Sequence, residues 1–204
     1  MDKLFIYDLE TTGVMHWKNG IHQISGAIVI NGNVKEFINF NVRPHEKAII
    51  EDEAIKVSNV TKEQIMQYPS MLAVYDELIR ILSKYVDKYN KTDKFHLVGY
   101  NNSSFDNQFL RAFFVQNNDM YFGSWFWSDS IDCMVLASNF LKDVRHTMPN
   151  FKQSTVAQQL GIRVDESKLH DAKYDIELCL KIYESINARE LTMDSLKQEA
   201  GIRK

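Results

Sequence analysis

The stretch Lys3-Leu4-Phe5-Ile6-Tyr7-Asp8-Leu9-Glu10, closed by Thr11-Thr12-Gly13, reads as a buried first strand that ends in two acids. Side chains alternate across a strand, so Leu4, Ile6, Asp8 and Glu10 share one face and two carboxylates converge at its C-terminal end. Carboxylates side by side repel, and burying either without a partner is costly. The usual remedy is a hard divalent cation held by oxygen ligands. The chain holds a second triplet of the same composition, Asp175-Ile176-Glu177, which serves as a control. It falls in a segment of helical periodicity, where residues two apart point roughly 200° away from each other, and it cannot act as a pair.

Outward from the first strand, Ile21–Ile30 and Val34–Val42 are β-rich and flank Asn31-Gly32, a hairpin turn signal. Three adjacent, antiparallel N-terminal strands follow from this. Thr61–Met66 and Ser70–Tyr89 read as helices, and Phe95–Gly99 as a short buried strand. A helix from about Ser104 to Gln116 carries Phe105, Phe109, Ala112 and Phe113 on one stripe. Tyr121–Ile131, with Trp125 and Trp127, is expected to be extended, and Asp132 to cap a helix running to Leu141. A polar, basic connection with Lys142, Arg145, His146 and Lys152 leads to helices near Gln153–Leu160 and Ala172–Asn187. No repeat or linker interrupts the chain. Strands first, then strands interleaved with helices, predict an α/β layer with a mixed sheet.

The 204 residues are 45% hydrophobic and 25% charged, enough for one substantial core, with a net charge of −3. That charge excludes a broadly basic, DNA-coating protein, but not an enzyme that grips only a strand end. No secretory leader and no membrane span is read, so a cytoplasmic protein without membrane association is expected. Cys133 and Cys179 lack metal-site spacing and are read as buried free thiols.

Two further acidic motifs follow. In Leu97-Val-Gly-Tyr-Asn-Asn-Ser-Ser-Phe-Asp106, a buried strand leads through a polar loop to an acid in the first turn of a helix. A helix-start Asp favoured by the dipole is the plain reading, yet Asp106 neighbours Leu110 and Phe113 at the border of the apolar stripe. In His170-Asp-Ala-Lys-Tyr-Asp175, the acid lies beside Ala172 and Cys179 at the edge of buried surface. His170 would be about 140° from Asp175 if both were helical, so the two converge only if His170 stands on the loop. Beside a metal-bound carboxylate it is a natural general base.

With these three motifs in this order, the chain resembles the DEDDh class of 3′→5′ exonucleases, the group that includes the proofreading epsilon subunit of bacterial DNA polymerase III. Motif I matches at Phe5-Ile-Tyr-Asp8-Leu-Glu10-Thr-Thr-Gly13, motif II at Asn101 through Asp106, and motif III as His-x-Ala-x-x-Asp at His170 to Asp175. Ala54–Thr61 is similar to the family's hydrophobic-His-Gly-Ile-Thr segment, and Ile131-Asp132 to its Ile-Asp-Thr-Leu segment. Ser58 and Asn59 stand where many relatives carry His-Gly, and Tyr100 where His is frequent.

The resemblance implies a ribonuclease H-like fold with an exonuclease domain over residues 1–190. A tail at 191–204 would be either a short partner-docking helix or a frayed end. It also implies two Mg²⁺ or Mn²⁺ ions held by Asp8, Glu10, Asp106 and Asp175, with His170 as general base. Nucleoside 5′-monophosphates would be released from the 3′ end of a nucleic acid, expected to be single-stranded DNA, with a DNA polymerase as an expected partner. Thr11, Val57, Ser58 and Phe105 are implied substrate contacts. Trp17, in the loop after motif I, either stacks on a base or packs. RNA trimming on the same site is one alternative, and a non-catalytic nucleic-acid-binding scaffold is another. Retention of all five defining residues speaks against the scaffold.

Overall fold

The computed structural model describes residues 2–169 and 171–199. Strands β1 (Lys3–Thr11), β2 (Ile21–Ile30) and β3 (Asn33–Asn41) are followed by helices α1 (Asp52–Val57), α2 (Lys62–Met66) and α3 (Met71–Leu82). Then come β4 (His96–Gly99), α4 (Asp106–Gln116), α5 (Phe122–Trp125), β5 (Ile131–Asp132), α6 (Cys133–Phe140), α7 (Gln153–Gln159) and α8 (Ala172–Glu199). The sheet order is β3-β2-β1-β4-β5, antiparallel through the first three strands and parallel from β1 to β4 to β5. This is the expected mixed α/β sheet. Asn31 (φ 49°) and Gly32 (φ 74°) both adopt the left-handed region that a tight two-residue hairpin needs.

Strand alternation builds two apolar layers. Phe5, Tyr7 and Leu9 face a layer completed by Leu78 of α3, Phe109 and Phe113 of α4, and Trp125 of α5. Leu4 and Ile6 face the opposite layer, made with Ala137 of α6, Val156 of α7 and Ile176, Cys179 and Ile182 of α8. Asp8 continues the Leu4–Ile6 side, as the period of two requires. Between β1 and β2 the register breaks once, where Glu10 pairs with Gln23 but Thr11 pairs with Ile21. His22 is therefore the extra residue of a β-bulge in β2, and it is buried together with Ile21.

Several expectations are corrected. The helix expected to run to Tyr89 ends at Leu82, and residues 121–131 are not extended throughout, since α5 occupies Phe122–Trp125. Aromatic packing explains the latter: Phe122 and Phe126 tilt against each other and meet Phe114 edge-on at centroid separations of 4.8–5.9 Å, which a straight strand would not allow. Helix α1 was not read from the sequence. Helix α8 continues past Asn187 to Glu199, and residues 200–204 of the expected tail lie outside the described residues. Cys133 and Cys179 are buried free thiols as read, but they are not isolated: their Sγ atoms lie 3.6 Å apart between α6 and α8. Among the described residues no helix is long and apolar enough to cross a membrane.

Candidate active site

The acids gather where two parallel strands end. β4 pairs with β1 only through Leu4, Phe5 and Ile6, so the β1 edge beyond is left open. Asp106, the first residue of α4, fills that opening, and its Oδ1 accepts the Leu9 backbone N–H at 3.1 Å. Gly99 makes the approach possible: a Cβ there would meet Asn102 Cβ at 2.7 Å and the Tyr7 carbonyl at 3.0 Å. Asp132 holds the intervening loop, accepting Asn101 N–H at 2.9 Å and Ser103 N–H at 3.2 Å while it caps α6 through Met134 N–H at 2.9 Å. Sequence reading found the cap but not the loop contacts, which need the two segments side by side.

The electrostatics are those of crowded carboxylates. Burial, then the charges of Asp106, Glu10 and Asp175, push the Asp8 carboxyl well above the ordinary carboxylate range. Burial pushes Asp106 up to about 7, with Glu10 and Asp132 adding to it, while the Leu9 N–H and the backbone N–H of Asp106 itself pull the other way. Among the described residues no lysine or arginine forms an ion pair with Asp8, Glu10 or Asp106. Asp175 lies in the first turn of α8, its N–H donating to the Asp171 carbonyl at 2.9 Å. Its own carbonyl accepts Gln153 Nε2 at 2.7 Å, which ties α8 to α7.

The remaining predicted residues fall around this centre. Glu10 is half-buried, and its Oε2 accepts the Ser58 hydroxyl at 2.6 Å. A cavity of about 440 Å³ is lined by Glu10, Gln23, Lys56, Val57, Ser58 and Asn59, with Val57 exposed at its rim. A second, of about 300 Å³, is lined by Asp175 with Lys152, Gln153, Ser154, Leu169 and Leu178. Thr11 is buried and its hydroxyl donates to the Gly13 carbonyl at 2.7 Å, so it shapes the turn after β1. Phe105 is half-buried against Phe109, 5.0 Å between centroids. Trp17 does not pack into the core: it is 73% exposed, with His16 set edge-on to it and to Phe109 of α4. His170 lies outside the described residues.

His22 escaped the sequence reading. It is buried on β2 with Nε2 3.2 Å from Ser58 Oγ, and desolvation lowers it to about 4, so the ring is neutral at pH 7. No sequence signal marks it, because its partner Ser58 lies 36 residues away in the chain.

Hard oxygen donors that are desolvated and mutually repelling suit a divalent cation, and the donor set fits one. Among the described residues no three His, Cys, Asp or Glu side chains are already drawn into one cage. Glu10 is turned to Ser58 and Asp106 to the Leu9 N–H.

A ribonuclease H-like sheet carrying acids at the ends of its parallel strands defines a class of phosphodiester-cleaving enzymes. The family model described as Exonuclease (RNase_T) matches residues 5–183, and the chain belongs to that family. Over 178 residues it is 26% identical to a PolC-type DNA polymerase III of Mycoplasmopsis pulmonis (strain UAB CTIP), covering 87% of this chain but 11% of that protein. Its fold is similar to E. coli exonuclease I in complex with a dT13 oligonucleotide (TM-score 0.73, 19% identity, 96% of this chain and 43% of that one). It is also similar to the zinc-bound form of the exonuclease I–ssDNA complex (TM-score 0.74, 17% identity, 94% and 42%). The chain thus spans about a ninth of the polymerase relative and less than half of these structures.

Proposed function

We propose that this chain hydrolyses phosphodiester bonds one nucleotide at a time from the 3′ end of single-stranded DNA, releasing nucleoside 5′-monophosphates, with two Mg²⁺ or Mn²⁺ ions. The observation that carries this reading is the meeting of Asp8 and Asp106 at the open end of β1, where burial and the neighbouring acids raise both carboxyls. Asp8, Glu10, Asp106 and Asp175 would hold the ions through oxygen ligands. Bound divalent ions would polarise the scissile phosphate and make the attacking water more acidic. His170, preceding α8 in sequence, takes the proton of that water. Thr11, Val57, Ser58 and Phe105 are taken as contacts of the terminal nucleotide, and exposed Trp17 offers a face for a base.

Similarity to a DNA polymerase and to a single-strand DNA complex supports DNA as the polymer and a polymerase as partner. Two buried, reduced thiols support a cytoplasmic setting. We assign the exonuclease unit to residues 1–190, with the last turns of α8 beyond it.

The test is a digestion panel with 3′-labelled single-stranded DNA, duplex DNA, mismatched duplex, RNA and closed circular single-stranded DNA, with Mg²⁺, Mn²⁺ or EDTA. Linear single-stranded DNA should be shortened from its 3′ end only with metal, and circles should resist. Rapid cutting of circles would make the enzyme an endonuclease, and faster digestion of RNA would replace the substrate.

A further inference from the structure

The Glu10 carboxylate accepts a side-chain hydroxyl, that of Ser58, and that hydroxyl has support of its own. Ser58 closes α1 at φ −83°, ψ 2°, and Asn59 follows in the left-handed region at φ 58°, so the backbone turns sharply once Ser58 is delivered to Glu10. The direction of the hydrogen bonds follows from counting protons. An ionised carboxylate only accepts, so the single hydroxyl proton of Ser58 goes to Glu10 Oε2. Ser58 Oγ then accepts from the other side, and His22, neutral within the sheet, must carry its proton on Nε2 to donate. His22 is the extra residue of the β-bulge opposite Glu10 and Thr11, and its buried ring meets Ser58 at this point. The chain of donors occupies Oε2 and leaves Oε1 of Glu10 for another partner.

Resting on the metal-dependent exonuclease reading above, we propose that Ser58, held by the bulge residue His22, is a positioning residue that orients Glu10 so that its Oε1 is presented to a divalent cation. This assigns Ser58 a role beyond touching the terminal nucleotide. It also accounts for the residue's type, since the position demands a short side chain that accepts one hydrogen bond while donating another. A hydrogen bond of this kind to a ligating carboxylate is worth about 10–100-fold in metal affinity or activity.

The experiment titrates Mn²⁺ calorimetrically into wild type, Ser58→Ala, Ser58→Thr and His22→Leu, and measures kcat and KM for single-stranded oligodeoxynucleotide digestion. Melting temperatures show which variants are folded. Ser58→Ala should weaken Mn²⁺ binding and lower kcat by about 10–100-fold with KM little changed, and Ser58→Thr, which keeps the hydroxyl, should restore both. His22→Leu should move the same two quantities in the same direction by less; if it fails to fold, the Ser58 pair still decides. A Ser58→Ala enzyme with unchanged Mn²⁺ affinity and a raised KM would make Ser58 a nucleotide contact only. Tighter Mn²⁺ binding in Ser58→Ala would mean that the hydroxyl competes with the cation. Either result overturns the proposal while leaving the exonuclease reading intact. Wild type that neither binds Mn²⁺ nor digests DNA would overturn both.

Discussion

Two Asp-x-Glu triplets in this chain meet different fates. In Asp8-Leu9-Glu10 the backbone is extended, and both acids reach the same end of the sheet, Asp8 beside Asp106 and Asp175, Glu10 onto Ser58. In Asp175-Ile176-Glu177 the backbone is helical and the three side chains part company. Asp175 turns toward the other acids, Ile176 enters the core at 2% exposure, and Glu177 lies 4.0 Å from Lys173 one turn away. Identical composition yields a pair in one place and a single acid in the other. The backbone period, 2 against 3.6, makes the difference.

The sharpest way to break that comparison is to remove the acids one by one. Asp8→Ala, Glu10→Ala, Asp106→Ala and Asp175→Ala should each abolish nearly all nuclease activity while the fold survives, because losing one acid would disturb how the others hold a divalent cation. Initial rates with saturating Mn²⁺, alongside thermal melts, check this. A folded Asp175→Ala enzyme at wild-type rate would confine the site to the strand triplet.

His170→Ala comes next in size. Mn²⁺ binding by calorimetry should persist while kcat falls about 10²–10⁴-fold, the usual share of a general base. An unchanged kcat would leave proton transfer to another group.

Trp17→Ala should act on binding. Base stacking on an aromatic is worth about 1–3 kcal/mol, so KM for single-stranded DNA should rise by roughly 5- to 150-fold with kcat nearly constant. No change in KM would show that the exposed ring only shields the loop.

A smaller effect concerns the protein without metal. The Asp106 carboxyl is pushed up to about 7. For a raised carboxyl, the stability it contributes is complete below the unfolded value, about 4, and is lost as pH rises through the folded one. In EDTA at pH 8, Asp106→Asn should therefore melt higher than wild type, by roughly 5 °C, while its amide oxygen still accepts the Leu9 N–H. At pH 4 the two should melt together. If wild type melts higher at pH 8, the carboxylate is held by something other than a cation. Smallest of all, Glu177→Ala should leave rate and melting temperature essentially unchanged, since an exposed pair with Lys173 contributes little.

The layout of most of the candidate site is legible before the fold, for a physical reason. Asp8 and Glu10 follow from alternation, Asp106 and Asp175 from the borders of apolar helical stripes, and the hairpin from Asn31-Gly32. These are local periodicities, and sequence carries them directly. What was missed depends on distant contacts. His22 sits at a bulge that exists only when β2 pairs with β1, and its partner Ser58 comes from the end of α1. Helix α1, six residues long, is too short to show a period. Residues 121–131 coil because Phe114 offers Phe122 and Phe126 a surface. The contact of Cys133 with Cys179 likewise waits for α6 to meet α8.

The central claim is that acids from β1, α4 and α8 form one cation site, and a crystal grown with Mn²⁺ and measured at the manganese absorption edge tests it most directly. Anomalous density should lie within bonding distance of Asp8, with Glu10, Asp106 and Asp175 around it. Manganese bound only elsewhere, or anomalous density absent from the end of β1 at saturating Mn²⁺, would contradict the account.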